Sequence, residues 1–205
     1  MNTKQNDQSI DRMNGAERAM KRACDFVGAF LLLLLLSPVF FIIYIIQKIN
    51  NPGPAIYKQE RIGKGGLVFN IYKFRTMVVD AEKDGVPQLE KTDDPRLTDF
   101  GKLLRKHHFD ELPQLVNVLK GDMSFVGYRP ERKFFIDKIM EYNQDYELLF
   151  CSKPGITSLA TILNGYTDTM DKMLIRLQMD LDYLKKRSLW LDAKIIGKTV
   201  VSLIN

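Results

Sequence analysis

The sequence predicts an α+β protein: an N-terminal membrane helix, a small β-hairpin, and several amphipathic helices around a cytoplasm-facing domain. Three observations carry that prediction. The stretch Phe26–Ile46 holds no charged residue and is about long enough to span a bilayer as a helix. The runs Ala55–Arg61 and Leu67–Phe74 are rich in aromatic and β-branched residues and are joined by Gly63-Lys64-Gly65-Gly66, which is the pattern of a hairpin. Beyond Phe100, apolar residues recur at helical spacing in several separate segments.

A chain of 205 residues is long enough for one domain with a sizeable core plus an appendage. Its net charge of +5 asks for an anionic partner, either a membrane surface or a phosphorylated ligand. Nucleic acid is a poor third choice, because the basic residues are scattered among acids and no recognition motif is present. Cys24 and Cys151 lie far apart without metal-type spacing, so a reducing, cytoplasm-facing compartment is expected.

In order, residues 1–17 are polar and lack apolar periodicity, and a mobile tail is predicted for them. Residues 18–50 form the membrane element. Ser37-Pro38 interrupts its apolar run. Proline removes one backbone donor and clashes with the Leu34 carbonyl, so a kink or break is expected, with the Ser37 hydroxyl able to satisfy the freed group. Arg18, Lys21 and Arg22 precede the run, and Lys48, Lys58, Arg61 and Lys64 follow it. Basic flanks prefer the cytoplasmic side. If both stay there, the segment must turn back at the proline. The residues alone leave this re-entrant reading level with a kinked spanning helix.

Residues 51–205 are the cytoplasmic, membrane-associated domain. Asn51-Pro52-Gly53-Pro54 is a turn and leads into the hairpin, whose glycine turn is not a P-loop. Val79–Asp99 is a charged surface loop. Phe100–His107 is a short helix capped by Thr98 or Asp99, with His107 and His108 on its surface. A helix follows Leu112-Pro113, with an apolar stripe of Leu115, Val118 and Leu119 and Gly121 as terminator. Phe135 to Leu149 and Met170 to Leu184 are amphipathic helices, separated by a turn at Lys153-Pro154-Gly155. Leu189–Ile204, with Trp190, Lys194 and Lys198, is a helix suited to a membrane surface.

Chemistry concentrates between Arg105 and Pro130. Asp110 and Glu111 are adjacent at a helix start, and Arg129 is flanked by Tyr128 and Pro130. An aspartate can attack phosphorus. Two neighbouring carboxylates favour an intervening cation, and Mg²⁺ prefers one or two carboxylates plus substrate phosphates. The guanidinium groups of Arg75, Arg96 or Arg129 match phosphate oxygens. For an isolated Asp, helix capping would be the better reading of Asp110.

Several motifs occur together: Lys21-Arg22-Ala23-Cys24-Asp25-Phe26 with Ser37-Pro38, Gln59-Glu60-Arg61-Ile62-Gly63, Tyr72-Lys73-Phe74-Arg75-Thr76-Met77, Asp94-Pro95-Arg96-Leu97-Thr98, the block from Leu103 to Pro130, and Lys153-Pro154-Gly155-Ile156-Thr157. In this order they resemble the small monotopic phosphoglycosyl transferases, bacterial sugar transferases that start glycan assembly on polyprenyl phosphate. The resemblance runs from about Met20 to the C-terminus. It implies a re-entrant helix-break-helix turning at Ser37-Pro38 and an inner-membrane location with the catalytic domain facing the cytoplasm. It further implies transfer of a sugar 1-phosphate from a UDP-sugar to undecaprenyl phosphate, with release of UMP. Asp110 would be the nucleophile that carries the phospho-sugar, and Glu111 would help place Mg²⁺ or handle protons. Lys73, Arg75, Arg96 and Arg129 would hold phosphate groups, with Asp180 a further acid near the site. The partners would be the donor, the lipid acceptor and membrane lipid, with a homodimer left open.

Two departures bear on substrate identity. Gly127-Tyr128-Arg129-Pro130 stands where the family has Gly-Pro-Arg-Pro, and Ser158–Gly165 replaces Gly-Trp-Ala-Gln-Val-Asn-Gly after Ile156-Thr157. The competing reading is a catalytically silent membrane-anchored scaffold, against which the intact Asp110, Glu111 and Arg129 count.

Overall fold

Residues 10–14 already belong to the fold, well before residue 17. The computed structural model describes residues 10–50, 53–81, 88, 94–165, 167 and 169–204. The predicted mobile tail therefore needs correction from Ile10 onward: Met13 is buried, and Asp11 takes an ion pair from Arg18 at 3.1 Å and another from Arg187 at 3.3 Å. Polarity in this stretch reflects buried pairing, which composition does not distinguish from solvation. The remainder of the tail and most of the 79–99 loop lie outside the described residues.

Helix α1 (Gly15–Asn50) contains Pro38 yet continues through it as one helix. The expected break is thus not a loop. The Leu34 carbonyl, which proline cannot serve, accepts the Ser37 hydroxyl at 2.8 Å, a local repair of the missing bond. This is the one helix among the described residues long and apolar enough to cross a membrane. Its middle exposes Phe30, Leu31, Leu34, Leu35 and Phe41, an apolar surface that water does not favour. Both flanks dock on one body. Lys21 pairs with Asp192 at 2.6 Å, Asp25 accepts from Ser124 Oγ at 2.7 Å, and Arg22 donates to the carbonyls of Val118 and Leu119. At the far end Gln47 donates to the Arg75 carbonyl at 2.5 Å.

The hairpin forms as expected from strands β1 (Ile56–Ile62) and β2 (Val68–Phe74), antiparallel with Tyr57 opposite Lys73. Gly65 and Gly66 supply the positive φ values that its turn requires. Helix α2 (Asp99–Lys106) is capped by Thr98, whose hydroxyl accepts from the Gly101 N–H. A single 3₁₀ turn, Phe109–Glu111, precedes helix α3 (Gln114–Lys120), which ends at Gly121 with φ 91°. Asn117 of α3 has no exposed surface and closes the free edge of β2 by imitating a strand. Its Oδ1 accepts from the Tyr72 N–H at 3.1 Å, and its Nδ2 donates to the Asn70 carbonyl at 2.7 Å.

A second, two-stranded parallel sheet was not foreseen. It pairs β3 (Ser124–Val126) with β4 (Gly155–Thr157), so the Lys153-Pro154-Gly155 turn runs straight into a strand. Gly127 and Gly155 allow the close approach: a Cβ on Gly155 would lie 2.1 Å from the Gly127 nitrogen. The expected helix over Phe135–Leu149 is two elements, α4 (Lys133–Tyr142) and a 3₁₀ segment, Gln144–Cys151. Asn143 separates them, capping the second by accepting from the Asp145 N–H. Short α5 (Leu159–Asn164) is new. Helices α6 (Met170–Lys186) and α7 (Leu189–Ile204) match the periodicity. The main core gathers Tyr128, Ile139, Leu149, Leu177 and Leu184, while Ala29 of α1 packs with Ile71, Leu115 and Val118 in a smaller one.

Asn117→Ala leaves the Tyr72 N–H and Asn70 carbonyl unserved at a buried edge. A loss of about 3 kcal/mol is expected, read as a lowered midpoint in denaturant unfolding of the detergent-solubilised protein.

Candidate active site

The Asp-Glu dyad is presented by a turn. Helix α2 ends at His107, and His108 takes a left-handed conformation, φ 54°, where β-carbon sterics are unfavourable. The two histidines thus end the helix and are not residues of its surface. The reversal at His108 starts the Phe109–Glu111 turn, which places Asp110 inside at 5 % exposure. The dyad belongs to this turn, three residues ahead of α3.

Two cations from remote segments meet Glu111. Lys73 of β2 donates to Glu111 Oε1 at 2.8 Å, and Arg129 NH1 lies 3.8 Å from the same oxygen. Burial pushes the Glu111 carboxyl up, but the Lys73 ammonium and the Arg129 guanidinium outweigh it and hold the carboxyl down at about 2. Lys73, Glu111, Gln114 and Arg129, with Arg61, line one small cleft. Three expected site residues therefore converge around it, and Asp110 adjoins them in sequence.

The others sit elsewhere. Arg75 is buried beyond the end of β2, its guanidinium against Gly53 and its carbonyl held by Gln47. Arg96 forms a two-point pair with Asp94, at 2.7 and 2.5 Å. Asp180 is buried in α6 at 2 % exposure, and it lines a different cavity, behind Arg129. Ser37 and Pro38 lie in α1, away from this cleft.

Sequence reasoning missed the support around Arg129. Glu131 joins Arg61 at 3.3 Å and Arg176 at 2.6 Å, and Arg61 also donates to the Pro130 carbonyl. Glu131 stands among Arg129, Arg132 and Lys133 in the sequence, so nothing local pointed to partners as remote as Arg61 and Arg176. Gln114, 2 % exposed on the cleft wall, carried no signal either.

As a metal site, the dyad offers two hard carboxylates. Among the described residues no group of three or more His, Cys, Asp or Glu side chains is placed to hold an ion. That donor set fits an ion completed by substrate phosphates, as Mg²⁺ prefers, and not an all-protein cage. Chemically, the cleft combines a buried carboxylate with two cations suited to phosphate oxygens.

A family model described as bacterial sugar transferase matches residues 16–205. The chain is 39% identical over 185 residues to UDP-N-acetylgalactosamine-undecaprenyl-phosphate N-acetylgalactosaminephosphotransferase of Aeromonas hydrophila, covering 90% of this chain and 44% of that protein. It is 43% identical over 190 residues to UDP-glucose:undecaprenyl-phosphate glucose-1-phosphate transferase of Escherichia coli (strain K12), covering 92% of this chain and 41% of that one. A transferase of the same name from Caulobacter vibrioides is 41% identical over 186 residues, with 90% and 69% covered. The chain thus spans less than half the length of the first two relatives.

The Glu111 arrangement has a pH signature. Its folded pKa of about 2 lies below the ordinary 4.5, so it contributes stability above pH 4.5 that is lost as the pH falls toward 2. The wild type should lose roughly 2 kcal/mol through this group over that window. Lys73→Met should lose clearly less, as urea unfolding at pH 6 and pH 3 would measure.

Proposed function

The chain belongs to the bacterial sugar transferase family, and on that premise we propose that it transfers a sugar 1-phosphate from a UDP-sugar to undecaprenyl phosphate. Asp110 attacks the sugar-bearing phosphorus of the donor. The new bond joins an Asp110 oxygen to phosphorus, and the bond to the bridging oxygen breaks, releasing UMP. A phosphate oxygen of the lipid then attacks the same phosphorus, and Asp110 leaves as a carboxylate. Lys73 and Arg129, gathered by Glu111 before substrate arrives, neutralise the phosphate oxygens where charge builds up. Asp110 and Glu111 would hold Mg²⁺, which supplies further neutralisation of the donor pyrophosphate. The single observation that carries this reading is the buried Asp110 beside a Glu111 on which Lys73 and Arg129 converge. A scaffold that only binds lipid has no use for that junction.

The lipid acceptor requires a membrane-seated enzyme. Our reading is that α1 enters and leaves the inner membrane on its cytoplasmic face, bending at Ser37-Pro38. Its support is that Lys21 and Gln47, at opposite ends of the apolar stretch, hold the same folded body through Asp192 and Arg75. A body this charged does not cross a bilayer core. The first step of capsule, exopolysaccharide or other glycan assembly is the corresponding place in metabolism. The exposed Trp190 and Val201 of α7 suit the same surface.

Asp110→Asn should abolish UMP release from UDP-sugars in the presence of undecaprenyl phosphate and Mg²⁺, a loss of at least about a thousandfold. Mass spectrometry of the wild type, quenched without acceptor, should find the sugar phosphate on the Asp110 peptide. Turnover by Asp110→Asn would exclude the covalent route. Single cysteines at Asn14 and Asn50, in a background with Cys24 and Cys151 replaced, should react from the same side of sealed vesicles.

A further inference from the structure

Arg129 is held from behind. Asp180, 2 % exposed in α6, lines one cavity together with Arg129 and Arg176, and the Arg129 backbone N–H and the Ser158 hydroxyl are among the groups that hold its carboxyl down. Those donors lie just beyond β3 and β4, the two paired strands, so one carboxylate on α6 ties both segments down. Among the described residues its Oδ1 has no hydrogen-bond partner, and neither do the buried Tyr128 and Tyr146 hydroxyls. Asp180 lines the cavity behind Arg129 and is not among the residues of the reaction cleft. A carboxylate so placed meets no substrate phosphate and would repel one.

We propose that Asp180 is a positioning residue, whose carboxylate fixes the Arg129 backbone from outside the cleft, with Ser158 as the second strap of the same latch. The resemblance implies only that Asp180 is a further acid near the site, and assigns it no such support of Arg129. It is also partly particular to this chain, since the family pattern has glycine at position 158, which offers no hydroxyl. Tyr128, the other departure from that pattern, is fully buried beside the latch.

The latch titrates. Burial raises the Asp180 carboxyl to about 7, against the pull of Arg176, the Arg129 N–H and the Ser158 hydroxyl. The charged or titratable groups facing it are Arg176 on its own helix, Arg129 and Glu131 after β3, Tyr128, and Tyr146 from the 3₁₀ segment. A carboxylate accepts an N–H more strongly than a neutral acid does, so the grip on Arg129 weakens as pH falls through about 7. Stability runs the other way. The folded pKa is above the ordinary 3.8, so the stabilising contribution is full below pH 3.8 and is lost as pH rises through 7. A purely structural residue would show the second effect without the first.

The test compares wild type, Asp180→Asn, Asp180→Ala and Ser158→Gly in lipid nanodiscs. Only its turnover arm rests on the transferase reading. At pH 8, hydrogen exchange of the peptide spanning Gly127–Glu131 should quicken about tenfold in Asp180→Ala and less in Ser158→Gly. Where Asp180→Ala does not fold, Asp180→Asn serves, with a smaller increase. The wild-type kcat/KM for a UDP-sugar should fall below pH 7. Asp180→Asn should be low and free of that limb, and Ser158→Gly should move it upward. Unchanged protection of the Arg129 peptide, or a limb near pH 7 that survives in Asp180→Asn, overturns the proposal. If the wild type turns over no UDP-sugar, the transferase reading falls, and the exchange arm still decides the latch.

Discussion

The structure depends on one buried charge junction, where the Glu111 carboxylate draws Lys73 and Arg129 onto the same oxygen. Without the cations, burial would favour a neutral Glu111; without the carboxylate, two positive groups would face each other in a narrow cleft. Each partner comes from a different element, so the fold has to deliver three backbones to one point. Asn117 fixes β2, and with it Lys73, against α3. The turn behind His108 sets the dyad. The β3–β4 pairing and the Arg61–Glu131–Arg176 network hold the segment that carries Arg129.

That division explains what the sequence could reveal. The hairpin, the capping of α2 by Thr98 and the stop at Gly121 are governed by neighbours within a few residues, and local patterning showed them. The dyad and Arg129 stood out because their residue types are unusual for a surface turn. The parallel pair β3–β4 was invisible, being two strands of three residues, too short for any periodicity and specified by contact between distant glycines. The break at Asn143 was hidden because the apolar spacing of Phe135, Ile139, Tyr146 and Leu149 continues across it, while the backbone does not.

Buried polarity was the other blind spot. Asp11, Lys21, Asp25 and Asp192 are all nearly inaccessible, and each has a partner far away in sequence. Charged residues read singly look like solvent-facing ones. Their pairing becomes apparent only when the two ends of the chain meet, as Asp11 does with Arg187. Asp180 was singled out only through the family resemblance; in the fold it is buried in α6, with Arg176 and Glu131 among its neighbours.

The docking of α1 also limits how modular the molecule is. Lys21, Arg22 and Asp25 reach into α7, α3 and β3 in turn, and Ala29 is part of the core beneath the hairpin. The long apolar helix is therefore also an interior component of the rest of the fold. Replacing it with a generic apolar helix would uncover that interior, and trimming it away to obtain a crystallisable fragment would remove a wall of the protein.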